Sequence, residues 1–203
     1  MSLQAVADIV AKGDPDRFDA CMAAPVAARV VLFPIYAFNV EVARATWVMS
    51  EPKIGELRLQ WLRDALEDIA RGQFREYLDE TGGGLIWVAA RALGGDDEAG
   101  FRALGRISGL ANFLLAVPRL NARMDWPLPV GGPETVQQLA RDALTELRAL
   151  QLPKAGRAAS LASWRAGTIL RRAADEPDRV AHGTLPESEF RRRLSLIWAG
   201  YRL

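Results

Sequence analysis

Apolar residues recur at intervals of three and four along most of this chain, and this spacing constrains the fold more than any other feature. One clear stripe contains Val136, Leu139, Ala143, Leu144 and Leu147. Residues three and four apart share one face of an α-helix, so such a stripe predicts a helix with one buried side. No segment alternates apolar and polar residues as a half-buried strand would. We therefore predict an all-α helical bundle, and a chain of 203 residues is expected to form a single domain, 1–203.

Capping residues and prolines divide this pattern into segments. Asp14 before Pro15 predicts a helix start, because the carboxylate accepts hydrogen bonds from free amides and proline suits the first helical turn. Pro34 is expected to break or kink the helix that contains it, since proline has no N–H to donate. The acidic run at 96–98 predicts the N-terminus of a helix that ends at Val117. Further helices are predicted near 54–69, 158–174 and 187–199, with a long loop at 126–133.

A run of glycines and a pair of aspartates are candidates for known kinds of site. Residues 82–84 are three glycines, but no strand precedes them and no Lys-Ser or Lys-Thr follows, so they do not match a phosphate loop. They predict instead a helix that is interrupted or closely packed. Asp64 and Asp68 have the spacing of a metal-binding pair. They lie on the polar side of an apolar stripe, and a solvated face is the preferred interpretation.

Cysteine and histidine are each present once, as Cys21 and His182. One cysteine cannot form an internal disulfide, and the pair cannot supply the usual ligands of a zinc site. Cys21 is expected in the core. His182 has no serine or cysteine nucleophile near it in sequence, which disfavours a catalytic role. We therefore predict no metal site in this chain, and no cofactor.

Basic residues concentrate near the C-terminus: residues 154–203 contain 10 basic and 5 acidic side chains. Few aromatic residues are interleaved with them, which disfavours nucleic-acid binding. Because no apolar run approaches the ~20 residues that cross a bilayer, we expect a cytoplasmic protein, peripheral at the inner face of the membrane. The residues expected to meet anionic lipid are Arg171, Arg172, Arg191, Arg192 and Arg193.

Several motifs in the first two thirds of the chain occur in the order found in one known family. They lie at 14–18, 28–29, 32–39, 50–56, 58–67, 77–83, 109–111 and 128–129. On these residues the chain resembles the squalene/phytoene synthase family. The resemblance implies the isoprenoid synthase fold, in which prenyl diphosphates condense head to head in a cavity between helices. It also implies a shortened member of the family. Residues 72–74 directly join two segments that family members usually separate by roughly two further helices.

The family's chemistry depends on two aspartate motifs that hold Mg²⁺ against diphosphate, and both are replaced here. The resemblance places the first on Ala43, Arg44 and Trp47, and the second on Ala116 and Leu120. Alanine, tryptophan and leucine cannot ligate Mg²⁺, so these positions are degenerate and no catalytic residue is expected. Mg²⁺ would be the cofactor only if transferase activity persisted.

The resemblance is strongest to a branch that has lost its aspartates and is similar to the complex I assembly factor of mitochondria. It implies a pseudoenzyme that acts by binding a protein, with subunits of a respiratory complex as the expected partner. Two alternatives stay open: a residual prenyl diphosphate transferase and a prenyl-lipid binding module. The aromatic residues that are candidates for lining such a pocket are Tyr36, Phe38, Trp47 and Trp87.

Overall fold

The computed structural model describes residues 2–48, 73–121 and 132–203, and within these ranges every regular element is helical. The predicted all-α class is confirmed. The elements are α1 (Leu3–Gly13), α2 (Pro15–Ala23), α3 (Val26–Val48), α4 (Gln73–Leu78), a π-helical turn (Asp79–Gly83), α5 (Gly84–Ala92), α6 (Glu98–Asn121), α7 (Pro133–Ala149), a 3-10 helix (Arg157–Ser163), α8 (Ala166–Asp175), α9 (Asp178–His182) and α10 (Glu189–Tyr201). The helix predicted near 54–69, the pair Asp64 and Asp68, and the loop at 126–131 lie outside the described residues.

Two helix starts follow the capping residues in the sequence. The Asp14 carboxylate accepts a hydrogen bond from the backbone N–H of Arg17 at 3.0 Å, and Pro15 is the first residue of α2. At α6, the backbone N–H of Gly100 donates to Asp97 Oδ1 at 2.9 Å. Each carboxylate satisfies an amide that has no partner within its own helix. Both predicted starts are confirmed.

Neither Pro34 nor Pro118 ends the helix that contains it. Helix α3 continues from Val26 to Val48 through Pro34, and α6 passes Pro118 and ends at Asn121. Pro34 is exposed, so water can replace the hydrogen bond that its missing N–H would have made. Around Pro118, Val117 is buried and Leu120 packs against the core. Burial of these side chains favours one more helical turn over an early end.

The glycine run packs closely against α6, as the sequence predicted. A Cβ placed on Gly105 would lie 2.7 Å from the Cα of Gly83, and one placed on Gly82 would lie 3.2 Å from the carbonyl carbon of Gly105. Side chains at these positions would force the two backbones apart. The π-helical turn allows the approach, since it widens the helix where Gly82 and Gly83 meet α6.

Two hydrophobic clusters share α6 as a common wall. The N-terminal core contains buried residues of α1, α2, α3, α5 and the 3-10 helix, together with Phe101 and Leu104 of α6. The C-terminal core contains buried residues of α4, α7 and α8, with Ile107 and Leu114 further along α6. Leu147 and Leu150 pack against both clusters. Helix α6 therefore contributes buried side chains to both clusters.

Helix α3 contradicts the expectation that no apolar run approaches the length needed to cross a bilayer. Its segment Val26–Arg44 has 19 residues with a mean hydropathy of 1.5, which by length and composition alone is enough to cross a membrane. Of the segment's strongest hydropathy window, 28% is buried, and Leu32, Phe33 and Tyr36 contribute its inner face to the N-terminal core. A core helix of this length passes the same test, so the finding leaves the location of the protein open.

Candidate functional site

A cleft of about 540 Å³ opens between α2, α6 and the corner that joins the 3-10 helix to α8. The corner exists because the helix expected near 158–174 is divided: the 3-10 helix ends at Ser163, and α8 begins at Ala166. Trp164 and Arg165 lie at this corner and line the cleft. The remaining lining residues are Asp14, Asp16, Arg17, Ser108, Ala111, Asn112, Leu115, Arg119, Ala162, Ser163, Ala166, Ile169 and Pro186.

Arg17 is held on the α2 side of the cleft by three neighbours. Its Nη1 donates to Asp14 Oδ2 at 2.8 Å and to Asn39 Oδ1 at 3.0 Å. Its guanidinium carbon lies 5.6 Å from the ring centroid of Tyr36, within the range of a cation–π contact. Burial raises the pKa of the Tyr36 phenol, and the nearby Arg17 charge opposes that shift only in part. Tyr36 therefore stays neutral beneath the guanidinium.

Asp16 joins two arginines that come from distant parts of the chain. Its Oδ1 accepts from Arg192 Nη1 at 2.7 Å, and its Oδ2 accepts from Arg165 Nη1. Arg165 also donates through Nε to Glu187 Oε1 at 3.1 Å. The side chain of Glu187 is 2% exposed, so this ion pair is largely shielded from water. Asp16 thus links α2 to the residue that precedes α8 and to α10.

The cleft has an excess of positive charge, with three arginines and two aspartates among its lining residues. Arg119 is exposed at its edge. Two buried serines also line it: Ser108 is 8% exposed and Ser163 is 7% exposed. The hydroxyl of Ser163 has no hydrogen-bond partner among the described residues. The cleft surface is therefore polar and weakly basic.

Three of the four aromatic candidates for lining an apolar pocket have described side chains, and these differ in exposure. Tyr36 is 1% exposed in the N-terminal core, whereas Phe38 is 72% exposed. Two residues apart on a helix differ by about 200° in direction, so these side chains point to opposite sides of α3. Trp87 is half-buried against the N-terminal core. The side chain of Trp47 lies outside the described residues, and none of the other three lines the cleft.

The positions where the resemblance leads us to expect aspartates hold no carboxylate. Ala43 and Arg44 are exposed near the end of α3, where Arg44 donates to Glu41 Oε2 at 2.8 Å. Ala116 and Leu120 are half-buried on α6, and Leu120 packs against the C-terminal core. Within the ranges that the structure describes, no three His, Cys, Asp or Glu side chains come together to hold a metal ion.

The single cysteine and histidine differ sharply in environment. Cys21 is fully buried, as expected, and burial raises the pKa of its thiol to about 12. It is therefore a neutral thiol at physiological pH and an inert part of the core. His182 is the last residue of α9 rather than part of a loop, and it is exposed.

Two of the five arginines expected to meet lipid are engaged within the protein. Arg172 Nη1 donates to the backbone carbonyl of Leu185 at 2.7 Å, and the Arg192 side chain is 17% exposed. Arg171, Arg191 and Arg193 are exposed, although Arg193 also pairs with Glu189 at 2.8 Å. The arginine run of α10 is thus divided between an inner residue and two outer ones.

The residues that form the cleft were not singled out as a site by the sequence. The sequence predicts Asp14 as a helix cap and indicates no role for Asp16. Arg165 lies 149 residues from Asp16 and Arg192 lies 176 residues away. No local spacing signals such a contact, because it exists only after α2, α8 and α10 have packed together.

Comparison of the chain with family models, with curated proteins and with solved structures finds no match.

Proposed function

We propose that this chain is a non-catalytic protein, similar in fold to the squalene/phytoene synthases, that acts by binding a subunit of a respiratory complex. The isoprenoid synthase-like arrangement of its helices is part of the proposal. The observation that carries it is the state of the carboxylates in the cleft. Both are already committed to arginines: Asp14 pairs with Arg17, and Asp16 pairs with Arg165 and Arg192.

This donor set does not suit Mg²⁺-dependent diphosphate chemistry. A prenyl synthase needs carboxylates free to ligate metal ions, since the ions neutralise the leaving diphosphate. In this cleft an incoming Mg²⁺ would have to displace an arginine from each aspartate and would then lie among like charges. The residues present therefore do not fit the metal, and no step of transfer chemistry is assigned to them.

The replaced motif positions support the same conclusion. Arg44 brings a positive charge where the family resemblance implies a carboxylate, and Ala116 and Leu120 bring apolar groups. Leu115, which takes the position of a family arginine, lines the cleft with an apolar side chain. The electrostatic stabilisation that dominates catalysis of this kind is absent from these positions.

The enzymatic side of the proposal is tested with the purified full chain. It is incubated with Mg²⁺ and either farnesyl or geranylgeranyl diphosphate, and released pyrophosphate is measured beside an active phytoene synthase. We expect release at the rate of the buffer blank. Release well above the blank would establish residual transferase activity and overturn the non-catalytic interpretation.

The binding side is tested by affinity purification of the tagged chain from its native host, with quantitative mass spectrometry of the recovered proteins. We expect enrichment of respiratory-complex subunits over a purification with the tag alone. Equal recovery in both samples would contradict a role in respiratory-complex assembly, whatever the outcome of the pyrophosphate assay.

A further inference from the structure

Helix α10 presents an apolar face to the outside of the molecule. Five large side chains are exposed on it: Phe190 75%, Leu194 55%, Ile197 68%, Trp198 55% and Tyr201 84%. At about 100° per residue these positions fall within an arc of about 100° on one side of the helix. No residue of α10 is buried. Soluble surfaces rarely leave so many large apolar groups side by side, so the face is expected to have an occupant.

Contacts along the opposite side of α10 show which way the apolar face points. Arg192 binds Asp16 at 2.7 Å and Asp19 at 3.0 Å on α2. Ala199 packs against the N-terminal core. A Cβ placed on Gly200 would lie 3.4 Å from the carbonyl oxygen of Ala23, at the end of α2. The helix is therefore held along its inner side, and its apolar arc points away from the protein.

Positive charge borders the apolar arc. Counting about 100° per residue, Arg191 and Arg193 lie just outside its two edges. Both are exposed, and Arg202 at the end of the helix lies over the Trp198 ring at 4.5 Å. Residues 189–203 contain four arginines and one acidic residue, Glu189. Long arginine side chains can lay their apolar stems along such an arc while the guanidinium reaches polar groups.

We propose that the apolar face of α10 docks into the headgroup region of an anionic lipid bilayer. An arc of Phe, Leu, Ile and Trp bordered by arginines is the pattern of helices that lie in the plane of a membrane interface. Trp198 and Tyr201 are stacked with their ring centroids 6.2 Å apart near the C-terminal end of α10, and aromatic rings of this kind favour the headgroup level. The bordering guanidinium groups complement lipid phosphates, which favours lipid over an apolar protein surface.

Further apolar side chains are exposed near the point where the end of α10 meets α2. Gly200 meets Ala23, and the adjoining corner between α2 and α3 exposes Met22 at 46% and Val26 at 72%. The corner carries no acidic residue from 20 to 30.

The test uses the full chain and lipid vesicles in a sedimentation assay. Vesicles of phosphatidylcholine alone are compared with vesicles that also contain phosphatidylglycerol. We expect binding to the anionic vesicles at low salt and a several-fold decrease at high salt. The double variant Ile197→Ser/Tyr201→Ser should reduce the bound fraction at least five-fold. The matched double variant Leu3→Ser/Val88→Ser, which alters exposed apolar residues elsewhere, should bind like the wild type.

Insertion is read directly with a polarity-sensitive dye on Ile197→Cys. The native Cys21 is fully buried, so labelling in the folded state is selective for position 197. We expect a blue shift of the dye with anionic vesicles and none with a label at Ala149→Cys on α7. This measurement does not depend on the serine variants folding.

Three results would overturn the proposal. One is failure of the wild-type protein to sediment with anionic vesicles at low salt. Another is unchanged sedimentation of the Ile197→Ser/Tyr201→Ser variant together with no shift of the dye at position 197. The third is a dimer in analytical ultracentrifugation that this variant dissociates, in the absence of vesicle binding; a second copy of the chain would then be the occupant.

Discussion

Arg192 and Asp16 lie 176 residues apart in the sequence and form a hydrogen-bonded ion pair at 2.7 Å. Arg192 contacts two further carboxylates, Asp19 at 3.0 Å and Glu189 at 2.8 Å. Its guanidinium also lies 6.0 Å from the ring centroid of Trp164 at the cleft corner. One side chain thus joins the C-terminal helix to α2 and to the wall of the cleft, and the first two predictions follow from it.

Replacing Arg192 with Gln should lower the free energy of unfolding by about 1–3 kcal/mol, because Asp16 and Asp19 lose a partner in a partly shielded site. Solvent screening at Asp16, which is 38% exposed, favours the lower half of this range. Arg191→Gln is the matched control, one residue away and exposed, and should change stability by less than ~0.5 kcal/mol. Urea unfolding followed by circular dichroism measures both, and equal effects would contradict the assigned role.

Glu189 should give α10 an acid-sensitive contribution to stability. Hydrogen bonds from Arg192 and then Arg193 lower the pKa of its carboxyl from 4.5 to about 2. A folded-state pKa below the unfolded one stabilises the protein above pH 4.5, and that stabilisation is lost as the pH falls toward 2. The difference in urea midpoint between wild type and Glu189→Gln should therefore be constant at neutral pH and shrink below 4.5. A difference independent of pH would argue against these hydrogen bonds.

Gly105→Ala should lower the free energy of unfolding by about 1–3 kcal/mol. The added methyl group would lie 2.7 Å from the Cα of Gly83, and backbone on both sides leaves little room to adjust. Gly84→Ala is the matched control: its Cβ would meet nothing closer than 3.9 Å. Since alanine is the better helix former, this control should be neutral or stabilising by up to ~1 kcal/mol. Thermal unfolding distinguishes the two, and similar midpoints would show that the backbones can separate.

Cys21 should resist thiol reagents in the folded protein. It is fully buried and burial raises its pKa to about 12, so neither access nor thiolate is available at pH 8. Reaction with Ellman's reagent is expected to be slow in buffer and to release one equivalent of product in urea. Rapid reaction in buffer would indicate that the contact between α2 and the core opens frequently.

Local features of the fold were readable from the sequence because each depends on neighbours in the chain. The caps at Asp14 and Asp97, the apolar stripe of α7 and the close packing at the glycine run all follow from spacing over a few residues. The helix end predicted before Pro118 is wrong for the complementary reason. Continuation of α6 past Pro118 depends on the burial of Val117 and Leu120, and a local rule for proline does not contain that information.

Sequence alone determined the helical class and the burial of Cys21. Tertiary structure alone decided that Asp16 pairs with Arg165 and Arg192, and that Phe38 faces outward while Tyr36 is buried. It also decided which arginines of α10 are engaged and which border the apolar face. The physical reason is that periodicity defines the faces of a helix, whereas the face that becomes buried depends on which other helices pack against it, some of them distant in the sequence.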